Sequence, residues 1–397
     1  MTNGEYGEFS FRLLDDGTYE AQIVKFAKTV MVPDSYEGVA VTAVSSAKGA
    51  VGANQVEDIL IPEGVERIGC RAFFNCFTVN AITLPSSLKV VEQDAFSIIG
   101  SVKEVYVCDL PSYLSVDFGN SNANPLRSGA VLFVENERFS SPRLTVPDGV
   151  QRIGAYALSG MKGLISLTIP ACVEHIGEGA FEGCHKLCEI INLSEVSLSG
   201  REDVAEVLNI TDSEDTSRLT QLDDGFVFYS SDGEDYLVGY TGSERNLVLP
   251  DDFFGRAYSV YKYAFTRCDS LMSVTFGRRV KKIGEYAFNG CYFLGEIIFP
   301  EDSELFEIGD SAFLCCEWLG DTTLPKGLAK IERCAFGYCS LLNGIYIPKG
   351  VGHIAVDSFE GCRNLNVFLE AQSVPEGFPR GWDVDVYSVN LGAKRGD

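Results

Sequence analysis

Positive charge and histidine are what this sequence has least of. Lys and Arg number 32 against 56 Asp and Glu, a formal net charge of −24, and 397 residues include only three histidines, His175, His185 and His353. A surface this acidic repels phosphate backbones and anionic headgroups, which argues against nucleic acid and membrane surfaces as partners. Solubility is the plain consequence of such charge, and a cationic partner is the other reading of it. No apolar run approaches the ~18 residues that a membrane span needs, so membrane insertion is not expected. The N-terminus, Met1-Thr2-Asn3-Gly4-Glu5, has neither a basic region nor an apolar core. No signal peptide is therefore read there, and a cytoplasmic location stays open. The phosphate-loop, serine-hydrolase and zinc-protease signatures G-x-x-x-x-G-K-[ST], G-x-S-x-G and H-E-x-x-H are all absent.

What is present is a repeat. With 46% hydrophobic and 22% charged residues the chain is a folded one. LISLTIPACVEHIGEGAFEGC (Leu164 to Cys184) aligns with LLNGIYIPKGVGHIAVDSFEGC (Leu341 to Cys362), and VEDILIPEGVERIGCRAFFNC from Val56 follows the same frame. That frame reads L-x-x-I-x-I-P-x-x-V-x-x-I-G-x-x-A-F-x-x-C. Its alanine slot is Ala72, Ala95, Ala157, Ala180, Ala264, Ala287, Ala312 and Ala335, closed by Ser358, with steps of 23 residues and once 25 inside a block. Two longer steps, Ala95 to Ala157 and Ala180 to Ala264, mark insertions.

Each slot has a packing reason. L-x-x-I-x-I alternates apolar residues at period 2, as a half-buried strand does. The proline that follows (Pro62, Pro85, Pro147, Pro170, Pro300, Pro325, Pro348) has no N–H and ends the strand. The Val and Ile seven and four residues before the alanine suit a second short extended segment. Alanine lets the next coil approach closely. The Phe beside it fills the interior, contributing roughly 1.5–3 kcal/mol per buried ring. No coil buries its own face, so stability is shared between neighbours. The slot four residues after the alanine holds Cys76, Ile99, Met161, Cys184, Cys268, Cys291, Cys316, Cys339 and Cys362. Alternation with Ile and Met marks it as small and apolar, and its thiols as buried and inert rather than metal-binding.

The chain therefore divides into residues 1–50, a cap hairpin around Asp16-Gly17 with a degenerate first repeat; 51–373, the solenoid; and 374–397, a cap strand (Trp382 to Val389) with a polar tail. Insertions fall at about 109–142 and 194–245. The first holds NANPLRSG and a hairpin, AVLFVENERFSS. The second opens on an acidic stretch compatible with a helix, GREDVAEVL, and ends in a hairpin, DDGFVFYSSDGEDYLVGY.

On IPxxVxxIGxxAFxxC, the opening LDDGTYEA, the NPL insertion and the DDGFVFY…YLVGY…LVLPD module, the chain resembles the BspA-like (Treponema pallidum type) leucine-rich-repeat family from about Phe9 to Val389. The fold expected is an α/β-type repeat solenoid: a curved, right-handed leucine-rich-repeat superhelix with a parallel β-sheet on its concave side, about 11 coils and hairpin insertions. The resemblance further implies a surface-exposed or secreted protein of host-associated bacteria, of the kind discussed as adhesins, with no catalytic residues to carry over.

Groups that could do chemistry are few. Cys184-His185-Lys186-Leu187-Cys188 has a superficial zinc look, but Cys184 is in the buried slot and four converging ligands are not in view. Asp212, Glu214, Asp215 and Asp232, Glu234, Asp235 lack the spacing of a calcium loop and read as solvated turns. Asn192-Leu193-Ser194 and Asn209-Ile210-Thr211 match the glycosylation triplet by chance. No cofactor, metal or catalytic residue is assigned, and no enzyme is expected.

If the chain binds something, strand alternation points to the residues flanking the central Ile. The candidate concave face is Asp58, Glu104, Tyr106, Glu189, Ile191, Glu296, Ile298, Asp321 and Tyr346. Strands about 4.8 Å apart give eleven rungs roughly 50 Å of surface, which fits a protein or glycan rather than a small molecule. The expected function is non-enzymatic adhesion or recognition of a protein or glycan by a monomer, and the alternative is a display or spacer array without a ligand.

Overall fold

Two short strands per coil, joined by tight turns, account for nearly all the regular structure in this computed structural model, which describes residues 6–100, 102–213 and 217–395. The first strand is three or four residues long and alternates as the frame requires. In Glu296–Ile298 the middle Ile297 is buried and its neighbours face out. The proline after the strand gives its carbonyl to the amide three residues on, as in Pro325 to Leu328 at 3.1 Å and Pro348 to Val351 at 3.1 Å. That turn sends the chain into the second strand, often only two residues long, such as Arg67–Ile68 or Lys330–Ile331, with the slot Ile inward. Among the described residues the one α-helix is Leu110–Leu114.

The chain falls into two units that divide between Ser217 and Arg218. In the first, the first-strand ladders run through five parallel rungs from Thr29–Met31 to Val131–Val134 and four from Arg143–Thr145 to Asn209–Thr211. The N-terminal hairpin, Glu8–Leu13 with Tyr19–Lys25, joins the second-strand ladder by pairing in parallel with Val39–Val51. In the second unit, three rungs from Asn246–Val248 to Glu296–Ile298 and four from Thr322–Thr323 to Ser388–Leu391 form the first-strand ladders. Its second-strand ladder is continuous over eight strands, starting from the hairpin of the second insertion.

Each unit is thus a parallel-sheet β-solenoid, with nine first-strand rungs in the first and seven in the second, about 16 turns in all rather than about 11. The added rungs are Thr29–Met31, Val131–Val134, Asn209–Thr211, Asn366–Leu369 and Ser388–Leu391. Thr29–Met31 falls where a degenerate first repeat is expected, and the C-terminal strand is Ser388–Leu391 rather than Trp382 to Val389; none of the five is followed by the full P-x-x-V-x-x-I-G-x-x-A-F frame, so the frame does not count them. A ladder needs only backbone register, and Val131–Val134 pairs residue for residue with Glu104–Val107 while also forming a hairpin with Glu137–Arg138. The acidic opening of the second insertion is one 3-10 turn, Glu202–Val204, not a helix. Its side chains replace a missing coil. Arg201 donates to the carbonyls of Ile176 (3.1 Å) and Gly177 (2.7 Å), and Asp203 accepts from the Phe181 amide (3.3 Å).

The core is the stacked interior of the coils. Phe73 and Phe96 lie 5.3 Å apart with rings 6° from parallel, and Phe265, Phe288, Phe313, Phe336 and Phe359 continue the pattern at 5.0–6.0 Å. Trp382 closes that column edge-on to Phe359.

The turn that presents each Phe is set by the backbone. The residue three after the slot has left-handed φ in all nine coils: Asn75, Ile98, Gly160, Gly183, Arg267, Gly290, Cys315, Tyr338 and Gly361. Ile98 is the costliest occupant, because a β-branched side chain there crowds its own carbonyl by roughly 1–2 kcal/mol, and it is 59% exposed. Ile98→Gly should therefore stabilise the protein by up to about 1 kcal/mol after the entropy cost of glycine. The expected readout is a higher denaturant midpoint at unchanged slope, and a lower midpoint would contradict it.

Candidate functional site

Alternation decides which side chains the first-strand sheet shows to solvent, and neighbours decide how far. Glu296 and Asp321 are exposed and Ile298 is 41% exposed. Asp321 also accepts from the Asn343 amide of the next coil at 3.2 Å. Asp58, Glu104 and Tyr106 are half-buried. Glu104 and Tyr106 are brought together: the Tyr106 hydroxyl donates to Glu104 Oε2 at 2.8 Å, a bond that holds the phenol above its ordinary pKa. Phe133, on a rung that the repeat frame missed, stacks on Tyr106 with centroids 4.7 Å apart.

Three expected face residues are not available. Glu189 is fully buried and accepts from Ser166 Oγ at 2.7 Å, and Ile191 (6% exposed) is buried with it. All four residues of Glu189–Asn192 are buried, so both faces of this strand are covered where the second insertion begins. Asn192 there holds the Val196 carbonyl at 2.9 Å. Tyr346 is 8% exposed, in register with Phe368 on another rung absent from the frame.

The second-strand face is occupied by its own ions. Glu20, 2% exposed, lies between Arg12 (2.7 Å) and Arg67 (3.2 Å), and Arg67 continues to Glu92 (2.8 Å). In the second unit Lys282 pairs with Glu307 (2.6 Å) and Lys330 with Glu332, and His353 Nε2 lies 3.7 Å from Glu332. Exposed pairs contribute about 0–1 kcal/mol each. Their effect here is to neutralise that face. The sequence carries a signal for it, the Arg, Lys or His directly before the slot Ile.

The slot thiols do more than fill space. Cys184, Cys291, Cys316, Cys339 and Cys362 each donate through Sγ to the carbonyl in the slot Phe place of the preceding coil, at 3.0–3.3 Å (Leu158, Phe265, Phe288, Phe313 and Phe336). Burial pushes Cys76 and Cys184 up to about 12 and Cys362 to about 11, with Cys316 and Cys339 well above the ordinary thiol value. Such groups stay protonated and unreactive.

The repeat geometry and the sequence meet in one comparison. The profile described as BspA type leucine rich repeat region matches six copies, over residues 51–116, 133–232 and 246–374. The chain belongs to the BspA-type leucine-rich-repeat family. No curated protein matches it. Among solved structures, a leucine rich cell surface protein from Faecalibacterium prausnitzii is 22% identical, covering 99% of this chain and 98% of its own at a TM-score of 0.41. The T. pallidum leucine rich repeat protein is 26% identical over 43% of this chain and 82% of its own, TM-score 0.38. A leucine-rich repeat protein from Bacteroides ovatus is 22% identical over 98% and 97%, TM-score 0.31.

In this BspA-type chain of stacked coils, side chains that converge come from adjacent rungs. One such set of candidate metal ligands occurs among the described residues, Cys334, Asp357 and Glu360, with ligand atoms within 4.8 Å. Each already has a partner: Arg333 on Asp357 (2.9 Å), the Tyr338 hydroxyl on Glu360 (2.8 Å), and Cys334 Sγ on the other Glu360 oxygen (3.5 Å). Burial and the adjacent carboxylates push Cys334 up to about 12. Three half-buried, self-paired groups fall short of a closed tetrahedral shell. In the 184–188 segment both thiols point at backbone, Cys184 to Leu158 and Cys188 to Ile165, and His185 is exposed. Glu214 and Asp215, and Met1 to Glu5, lie outside the described residues. No described helix is long and apolar enough to cross a membrane.

None of the 13 cysteines is in a disulfide; Cys70 and Cys108 are exposed, four are half-buried and seven buried. A thiol reagent at pH 8 should modify Cys70 first in the native protein, with Cys108 slower because its hydrogen bond to Glu63 raises its pKa. The seven buried thiols should react only on unfolding. Peptide mapping that found fast native labelling of Cys316 or Cys339 would contradict the thiol ladder.

Proposed function

We propose that this chain is a non-enzymatic binding module that holds a protein partner against the outward face of its first-strand sheet, at a bacterial cell surface. Leucine-rich repeats of this family serve as protein-interaction modules of bacterial surface proteins. The observation that carries the reading is the stacked pair Tyr106 and Phe133, half-buried on an open strand face with Glu104 bonded to the Tyr106 hydroxyl. Half-exposed aromatic rings beside a fixed polar group are the anchors that dominate protein interfaces. The opposite, second-strand face offers ions already paired with one another. Adhesion to host cells is the specific activity proposed, acting as a monomer.

The test is charge reversal on the exposed and half-buried acids, Glu104→Lys alone and Glu104→Lys, Glu296→Lys and Asp321→Lys together, with Glu66→Lys in the second-strand region as control. Beads coated with each protein are scored for attachment to epithelial layers and to immobilised matrix proteins. The triple variant should attach at least roughly ten-fold less than wild type or control, since like charge juxtaposed across an interface costs kcal/mol. Unchanged attachment would favour a display or spacer array and defeat the face as the binding surface.

A further inference from the structure

One exposed position behaves differently in the two units, and the fold does not require the difference. In eight coils whose turn lies among the described residues, the slot cysteine or its Met161 equivalent is followed by a two-residue turn, closed by a bond from the next core amide back to that residue's carbonyl, as in Leu294 to Cys291 and Leu319 to Cys316, both 3.0 Å. The second turn residue stands outward. In the first unit that place holds Thr78, Gly163 and Lys186, and in the second it opens on Ser270 and closes on Asn364. Between these, three successive coils carry Phe293, Trp318 and Leu341, exposed by 46%, 55% and 52%. Phe293 and Trp318 meet edge-on at 5.4 Å, and Tyr292 (39%) and Met272 (48%), in the same and the preceding coil as Phe293, are exposed as well. A place that accepts Gly or Lys elsewhere in the same chain has no packing need for three large apolar side chains. A contiguous ridge of them in water marks an interaction surface.

The surroundings specify the occupant. The four stretches that form this edge and its adjoining strands, residues 268–275, 291–298, 316–323 and 339–346, hold Asp269, Glu296, Glu317 and Asp321, while the neighbouring cations, Arg267 beside Gly290 and Tyr292 and Arg363 in the next coil, stand at its two ends. All four acids are exposed. An apolar ridge rimmed by carboxylates complements a segment that is apolar on one side and cationic at its margins. It repels anionic lipid, and it repels a second copy of this chain, whose net charge is −24. Spacing then selects the conformation. Rungs repeat at about 4.8 Å, close to the helical pitch of about 5.4 Å, so a helix lying along the ridge keeps one apolar side chain against each coil. An extended strand, whose same-face side chains repeat at about 6.6 Å, loses register within three rungs.

We propose that the ridge Phe293–Trp318–Leu341 docks a basic amphipathic helix of a protein partner, seated on the apolar side chains and flanked by Asp269, Glu296, Glu317 and Asp321. The proposal rests on the reading of the chain as a protein-binding module but moves the anchor from the sheet face to its bordering turns.

The probe is an idealised 18-residue Leu/Lys helical peptide carrying a fluorophore, titrated with the full chain and followed by anisotropy. Binding should weaken as salt rises. Trp318→Ser and Phe293→Ser should each weaken it at least ten-fold, and Glu296→Lys with Asp321→Lys should do the same. Thr78→Ser, at the same turn place in the first unit, should change nothing. These are surface sites, and an unchanged thermal midpoint confirms each variant is folded. With unlabelled peptide, native tryptophan emission should shift to the blue, since Trp318 is exposed and Trp382 is 5% exposed. Equal binding of a Leu/Glu peptide, equal binding of a scrambled Leu/Lys peptide, or indifference to the ridge substitutions would each overturn the proposal. If the peptide fails while the triple acid variant still abolishes attachment, the sheet-face reading stands alone. If the peptide binds through the ridge while attachment ignores Glu104→Lys, the face reading fails and the ridge stands.

Discussion

Between one coil and the next, the amide of the slot phenylalanine donates to the carbonyl of the following coil's alanine: Phe73 to Ala95 at 2.9 Å, Phe265 to Ala287 at 2.7 Å, Phe288 to Ala312 and Phe313 to Ala335 at 2.8 Å. This contact fixes the spacing on which the interior depends. It forms only if the side chain at the slot is small enough for backbones to meet, and every slot alanine is at most 1% exposed. The one exception, Ser358, is accommodated because its hydroxyl donates to carbonyls of its own and the preceding coil, Ala355 and Glu332. Once the backbones are at this distance, the rings beside them stack at 5–6 Å and the thiol four residues on reaches the preceding coil's carbonyl. A net hydrogen bond is worth about 1 kcal/mol and a buried ring about 1.5–3 kcal/mol, so the turn holds by the two acting together at each rung.

The same constraint sorts the molecule's residues by role. Cysteines that would suggest redox or metal chemistry are held protonated inside the ladder. Charges that would suggest an electrostatic surface are paired with one another along the second strands. The surfaces proposed for a partner are the first-strand face around Tyr106 and Phe133 in the first unit and, in the second unit, the Phe293–Trp318–Leu341 turns. Some of the acids are themselves structural, as Asp203 on the Phe181 amide and Glu20 between Arg12 and Arg67 show.

Legibility in the sequence follows from the same physics. Slots filled for side-chain reasons could be read directly, because proline, alanine, phenylalanine and cysteine each leave a chemical trace at a fixed step. Features set by the backbone could not. The left-handed residues on both sides of the turn include Arg71, Tyr263, Cys315 and Tyr338, none of which signals that conformation. The five additional rungs pair through register without the frame's side chains, so the frame undercounts the coils. On the candidate face, alternation gave direction but not exposure: Glu189 points away from its own coil's core as expected and is nevertheless buried. The Phe293–Trp318–Leu341 ridge lies in the sequence two residues after the slot cysteine, and becomes visible as a surface only when the coils are stacked.

The claim that this turn holds the coils together is tested most directly by native-state amide hydrogen exchange at Phe265, Phe288, Phe313 and Phe336. If the inter-coil bonds carry the stack, these four amides exchange only through opening of the ladder, with protection near the highest in the second unit and well above the exposed turn amides of Phe293 and Trp318. Exchange of the four phenylalanine amides as fast as those turn amides would contradict it.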